Sequence, residues 1–140
     1  MKIKVVADMT ADLFHSGHVN LLKNARLHFG ENNVHLTVAL HTDEQILSYK
    51  SKRPVMDFEC RKAVLLSCKY VDSVMTAPDD FDEHFINQFD FLVHGDDLLN
   101  WSEELKYRWY NVVIAQNKLI TVPYTQGIST TELRKNVLQR

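Results

Sequence analysis

Two histidines three positions apart, His15 and His18, carry the first chemical signal in the sequence. They lie in Leu13-Phe14-His15-Ser16-Gly17-His18-Val19-Asn20, after an apolar run from Ile3 to Ala7 and before a stretch, Val19 to Phe29, with helical periodicity. A strand that hands over to a helix leaves unpaired backbone N–H groups at the positive end of the helix dipole, which suits phosphate. Gly17 allows close approach of a ligand to the backbone. Each imidazole adds hydrogen bonds, and charge when protonated. The expected site binds a phosphate or nucleotide, with both rings aimed at the phosphorus under attack. Near the other end, Ser129-Thr130-Thr131-Glu132 has capping-box spacing and starts a helix. Alone it would be a helix start and nothing more, as Gly95-Asp96-Asp97 alone would be a turn.

The elements that must position these residues follow one pattern. Short apolar runs at Lys4–Ala7, Val34–Leu40, Val71–Thr76, Phe91–His94 and Leu119–Val122 read as buried strands. Between and after them come helical stretches. The first, Val19–Phe29, is stopped by Gly30 and repeats its face through Leu22, Ala25 and Arg26. The next opens at Thr42; another runs from Asp57 to about Lys69; then come Asp82–Gln88, Glu103–Gln116 and the segment from Ser129. Pro54 breaks the polar, basic loop Ser48–Pro54. Strands alternating with helices predict an α/β chain: a single Rossmann-like domain over residues 1–140, with a five-stranded parallel sheet and helices on both faces. Ligands in such folds bind beyond the carboxyl ends of the strands. Asp8–His18, Gly95–Asp97 and Tyr124–Thr131 all fall at those ends, so one shared pocket is expected.

Composition bounds the function. The 140 residues carry a net charge of −2, are 45% apolar and 24% charged, and fit one soluble globular domain. No basic balance or Lys/Arg-rich run points to nucleic acid. Met1-Lys2-Ile3-Lys4 is too short and polar to begin a signal peptide, and no run approaches transmembrane length. Cys60 and Cys68 stand more than two turns apart in one predicted helix, which does not fit a disulfide. They read as free core thiols in a reducing cytoplasm. His28, His35, His41, His84 and His94 show no metal-ligand spacing with them, so no protein-held metal is expected.

At this point the residues resemble a known family. His15-Ser16-Gly17-His18 is similar to the His-x-Gly-His signature of the cytidylyltransferases within the nucleotidyltransferase superfamily, and Gly127-Ile128-Ser129-Thr130-Thr131 to their second signature. Thr42-Asp43-Glu44, Glu59-x-Arg61-Lys62, Tyr70-Val71-Asp72 and Gly95-Asp96-Asp97 resemble family landmarks in family order. The resemblance implies transfer of CMP from CTP to a phosphorylated small alcohol, giving a CDP-alcohol and pyrophosphate. It implies His15 and His18 at the triphosphate and transition state, and Lys50 or Lys52 bridging the acceptor phosphate and α-phosphate. It also puts Thr10, Ala11, Arg61, Asp96, Gly127, Ile128, Ser129 and Thr130 at the nucleotide, the Ser/Thr pair holding the outer phosphates. Asp12, Lys50, Lys52 and Tyr124 fall to the acceptor side. Mg²⁺ would arrive on the triphosphate, bound mainly by substrate oxygens. Relatives are typically homodimers.

The acceptor that the motifs most resemble is phosphoethanolamine, whose cation needs an anionic or aromatic wall; Asp8, Asp12, Trp101 and Tyr107 are the candidates. Glycerol-3-phosphate is the alternative. The family often has glycine at the position of Met9 and arginine at those of Lys69 and Tyr124. Met9 and Tyr124 leave open an ATP-using adenylyltransferase of the same fold, and the lost arginine leaves open a nucleotide-binding protein without turnover.

Overall fold

The computed structural model describes residues 1–139. β1 (Ile3–Met9) is the middle strand: Val5, Val6 and Ala7 are fully buried, because both faces of the sheet are covered. It pairs in parallel with β2 (Val34–Leu40) along its whole length, from Ile3 opposite Val34 to Met9 opposite Leu40. On its other side it pairs with β4 (Phe91–Gly95). β3 (Ser73–Thr76) and β5 (Leu119–Val122) complete an all-parallel sheet of order β3-β2-β1-β4-β5. The order reverses at β1, so a crevice opens beyond its carboxyl end.

Alternate side chains feed two cores. Val5 and Met9 of β1, Leu36, Val38 and Leu40 of β2 and Val93 of β4 pack with Leu22 and Ala25 of α1 (Ser16–Phe29) and Leu65 of α3 (Phe58–Leu66). Val6, Ala39 and Leu92 face the other way, onto Phe85 and Ile86 of α4 (Glu83–Ile86) and Tyr110 and Val113 of α5 (Glu103–Ala115). Two-sided apolar strands and helices on both faces are what the alternation predicts. α2 (Asp43–Lys50) and α6 (Thr130–Gln139) flank the crevice rather than the sheet.

Several boundaries differ from the expected ones, each for a local reason. α1 begins at Ser16, three residues early, because His15 is its N-cap. β3 begins at Ser73 because Asp72 turns its carboxylate to the Leu36 N–H and the Arg26 guanidinium, both at 2.7 Å. Arg26, placed by periodicity on the inner face, also donates to the carbonyls of Tyr70, Glu31 and Val34. It thus ties together the amino ends of β2 and β3. Gly95-Asp96-Asp97 enters a 3-10 segment, Asp96–Asn100, rather than a plain turn. α3 ends at Leu66, and Cys60 lies on its exposed side, so the expectation of a core thiol fails there; Cys68 packs beside the core. Among the described residues, no helix is long and apolar enough to cross a membrane.

Candidate active site

The His-x-Gly-His spacing makes a capping box from imidazoles. Nδ1 of His15 accepts the Gly17 N–H, and Nδ1 of His18 accepts the His15 N–H, both at 3.0 Å. The roles usually taken by Ser or Thr at the N-cap and Glu or Gln at N3 are filled here by two rings 3.9 Å apart between centroids. Gly17 is required for this: a Cβ there would meet Cε1 of His15 at 2.7 Å. Because each Nδ1 accepts from a backbone donor, each neutral ring carries its proton on Nε2. Both rings therefore present an N–H donor. Burial, and then the neighbouring His15, lower His18 to about 4, with Asp12 pulling the other way and Lys50 adding to the drop. Burial also lowers His15. Near pH 7 the pair donates hydrogen bonds without carrying charge.

The loop before the pair is strained and pinned. Ala11 and Leu13 have φ of 53° and 47°, left-handed values costing about 1 kcal/mol or more each in a non-glycine residue. Met9, at the position where the family often has glycine, sits in β1 with ordinary strand pairing; the tight path is taken two residues later. Asp12 holds that path. Its two carboxylate oxygens accept the N–H groups of Val55 and Met56 at 2.8 and 2.9 Å. Its carbonyl accepts the Thr130 hydroxyl at 2.7 Å. The two distant signatures thus meet. Asn20 also donates to the Thr125 hydroxyl, and Ile128 lies against Gly17. At the start of α6 the Ser129 hydroxyl accepts the Glu132 N–H at 3.1 Å, which leaves its own proton to donate.

Beside these residues opens a cleft of about 840 Å³. Thr10, Asp12 and Thr130 line one part; Lys50, Lys52, Arg53, Arg134 and Lys135 bring positive charge, and Leu13, Ile46, Val55, Val137 and Leu138 make much of the remaining wall apolar, while His15, His18 and Ser129 lie outside this lining. Burial lowers the Lys50 ammonium, Asp12 opposes that, and Arg134 adds to it. Both lysines expected at the acceptor phosphate reach this one cleft. Arg53, Arg134 and Lys135 were not foreseen. Arg134 and Lys135 fall four residues beyond Thr130 and Thr131, so the helical repeat from the second signature carried the signal.

Other expected residues have different tasks. Arg61 has no exposed surface. Its guanidinium donates to the carbonyls of Met56, Thr10 and His41 and pairs with Asp43 at 2.6 Å. It braces the strand ends that form the crevice and cannot touch a nucleotide in this conformation. Ala11 is likewise enclosed and shapes the loop. Asp12, expected on the acceptor side, has both oxygens engaged as above. Asp96 accepts the Tyr124 N–H through one oxygen, and the Tyr124 ring lies over Gly95. That places both beyond β4 and β5, at the same sheet edge as the cleft. The four candidates for a cation wall separate. Tyr107 is 70% exposed on α5. Asp8 and Trp101 belong to one cluster: Asp8 accepts from Tyr110 at 3.2 Å and meets His41 Nε2 at 3.2 Å, and the partly buried Trp101 ring is tilted against Tyr110 at 6.0 Å between centroids. Burial alone would raise the Asp8 carboxyl. The hydrogen bond and charge of His41, then His94 and Tyr110, more than offset it and hold Asp8 below the usual range.

No three His, Cys, Asp or Glu side chains converge to hold a metal among the described residues. With Asp12 spent on the backbone, the cleft offers no free carboxylate cage. Its donors suit an anion.

The same architecture recurs among known proteins. The Cytidylyltransferase-like family matches residues 6–136. An ethanolamine-phosphate cytidylyltransferase of Dictyostelium discoideum is 35% identical over 134 residues, 94% of this chain and 35% of that protein. A glycerol-3-phosphate cytidylyltransferase of Bacillus subtilis (strain 168) is 33% identical over 140 residues, 96% of each. The chain spans about a third of the length of the ethanolamine-phosphate relatives it matches. Among solved structures, the lipopolysaccharide core biosynthesis protein from Thermoplasma volcanium GSS1 superposes with a TM-score of 0.68 at 21% identity, over 90% of this chain and all of that one, and so shares the fold.

Proposed function

The chain belongs to the cytidylyltransferase-like family, and on that premise we propose that it transfers CMP from CTP to a phosphorylated small alcohol, with phosphoethanolamine as the favoured acceptor. An oxygen of the acceptor phosphate attacks the α-phosphorus; the bond from that phosphorus to the bridging oxygen breaks, and pyrophosphate leaves. No protein nucleophile is needed. Such transfers depend on positioning and on offsetting the charge that spreads over the phosphoryl oxygens.

One observation supports the reading above the others: the mutual capping of His15 and His18, which leaves the proton of each neutral ring on Nε2 as a donor. These fixed, neutral donors stabilise developing oxyanion charge with little reorganisation. Lys50 or Lys52 would join the two reacting phosphates. The Ser129 hydroxyl and the first N–H groups of α6 would take the outer ones. Mg²⁺ enters with the triphosphate as part of the substrate. Phosphoethanolamine is supported by the similarity to ethanolamine-phosphate cytidylyltransferases, although the expected anion, Asp8, lies enclosed with Tyr110, outside the lining of the cleft. A second reading, glycerol-3-phosphate, is favoured by the state of that anion: His41 and Tyr110 already occupy Asp8.

Pyrophosphate release tests both. CTP or ATP with Mg²⁺ is mixed with phosphoethanolamine, phosphocholine or glycerol-3-phosphate. Release with CTP and phosphoethanolamine fastest is the expected result. Release with CTP and glycerol-3-phosphate alone selects the second acceptor. ATP-only turnover overturns the nucleotide assignment. Nucleotide binding without release across the panel overturns the enzyme.

A further inference from the structure

The segment from Lys52 to Met56 runs along the cleft and is held unevenly. Its far end is anchored by buried contacts: Asp12 takes the Val55 and Met56 N–H groups, and Nε of Arg61 donates to the Met56 carbonyl at 2.9 Å. Its near end carries Lys52 and Arg53. Among the described residues this end is tied by one exposed hydrogen bond, from Nη2 of Arg134 to the Arg53 carbonyl at 3.0 Å. Arg134 lies one turn beyond Thr130, on the face of α6 that lines the cleft, and comes to 4.0 Å from Asp12. A guanidinium has more N–H donors than these contacts use, in a planar fork matched to phosphate oxygens. Lys50, Lys52 and Arg53 repel Arg134, with Asp12, among the described residues, the one carboxylate of the cleft lining to offset these four cations.

Building on the polyphosphate site proposed above, we infer that Arg134 is a positioning residue that contacts the bound polyphosphate and at the same time fastens the 52–56 segment, so that nucleotide binding sets the place of Lys52. An anion in the cleft replaces repulsion by attraction and lets one rigid fork hold both partners. Lysine would keep the charge but, as a point donor, could not serve both.

Hydrogen exchange of the 51–56 amides and nucleotide affinity, measured together on wild type, R134Q and R134K with CTP or inorganic triphosphate, test this. CTP is expected to slow exchange of the segment in wild type. In R134Q the slowing is lost and affinity falls about tenfold, the scale of one charged hydrogen bond. In R134K most affinity returns while the slowing does not. Turnover should follow the segment: kcat falls in both variants, whereas KM for CTP rises mainly in R134Q. Melting without ligand establishes that each variant is folded. Variants with wild-type affinity and wild-type slowing overturn the inference and leave the proposed function standing. A wild type that binds neither CTP, ATP nor triphosphate removes the polyphosphate site, and this inference with it.

Discussion

Replacing His18 by glutamine separates the cap from the proton. α2 shows that glutamine can do the capping half of the work: Gln45 Oε1 accepts the Thr42 N–H at 2.8 Å while Thr42 accepts the Gln45 N–H. H18Q therefore keeps the return bond to the His15 N–H and loses the titrating ring. In wild type, His18 falls from 6.5 to about 4 on folding, burial being the main cause. The unfolded chain then binds more protons than the folded one between those values. The contribution of neutral His18 is complete above about pH 6.5 and is lost as pH falls through about 4. At about 1.4 kcal/mol per pH unit it amounts to about 3 kcal/mol in full, and about 2 kcal/mol of that is gone by pH 5. For a chain of this length that lowers Tm by about 7 °C. Melting curves from pH 8 to pH 5 should show wild type losing that much more than H18Q. At pH 7.5, H18Q should be folded yet release pyrophosphate about 10²- to 10³-fold more slowly, for want of one fixed donor. Equal pH slopes in the two proteins would refute the tautomer argument, and equal turnover would remove His18 from the chemistry.

Arg61→Met should cost about 3–5 kcal/mol in urea denaturation, because it strands the carbonyls of Thr10, His41 and Met56 and the Asp43 carboxylate; a raised KM for nucleotide with unchanged stability would restore a direct ligand role. Gly17→Ala pushes a Cβ against the His15 ring, so stability should drop by about 1–2 kcal/mol and turnover with it; wild-type kinetics would show that the ring need not fold back. Lys50→Ala should slow turnover more than Lys52→Ala, and because Lys50 is lowered from 10.5 by burial, the alkaline limb of the wild-type rate should lie below that value and move up in Lys50→Arg. A limb unmoved by the arginine would assign it to another group.

The sheet was legible because two-sided apolar runs have few other places to go, and the reversal at β1 fixes which edge holds a ligand. The two signatures were legible as helix starts at that edge. Their internal geometry was less so: nothing in a His-x-Gly-His string says that each ring caps the other's segment, since that depends on χ angles and on the space Gly17 leaves. Arg61 misled for a related reason. The family resemblance puts it at the nucleotide, but three inward-facing carbonyls and Asp43 satisfy its guanidinium wholly inside the protein. Asp12 does line the cleft, but its backbone partners lie more than forty residues away at Val55 and Met56, where no local pattern points to them. Arg134 and Arg53 were hidden by exposure, because cations on a polar helix or loop ordinarily face water. Only the fold shows that they face each other across a cleft.

The bond from Thr130 to Asp12 spans 118 positions. A chain emerging from the ribosome with its amino end first has its imidazoles long before α6 is made. Closing so wide a loop is a late and entropically costly step. Growing or partly folded chains thus carry only half of the proposed cup, and on that proposal the nucleotide can be held only once the last described helix docks.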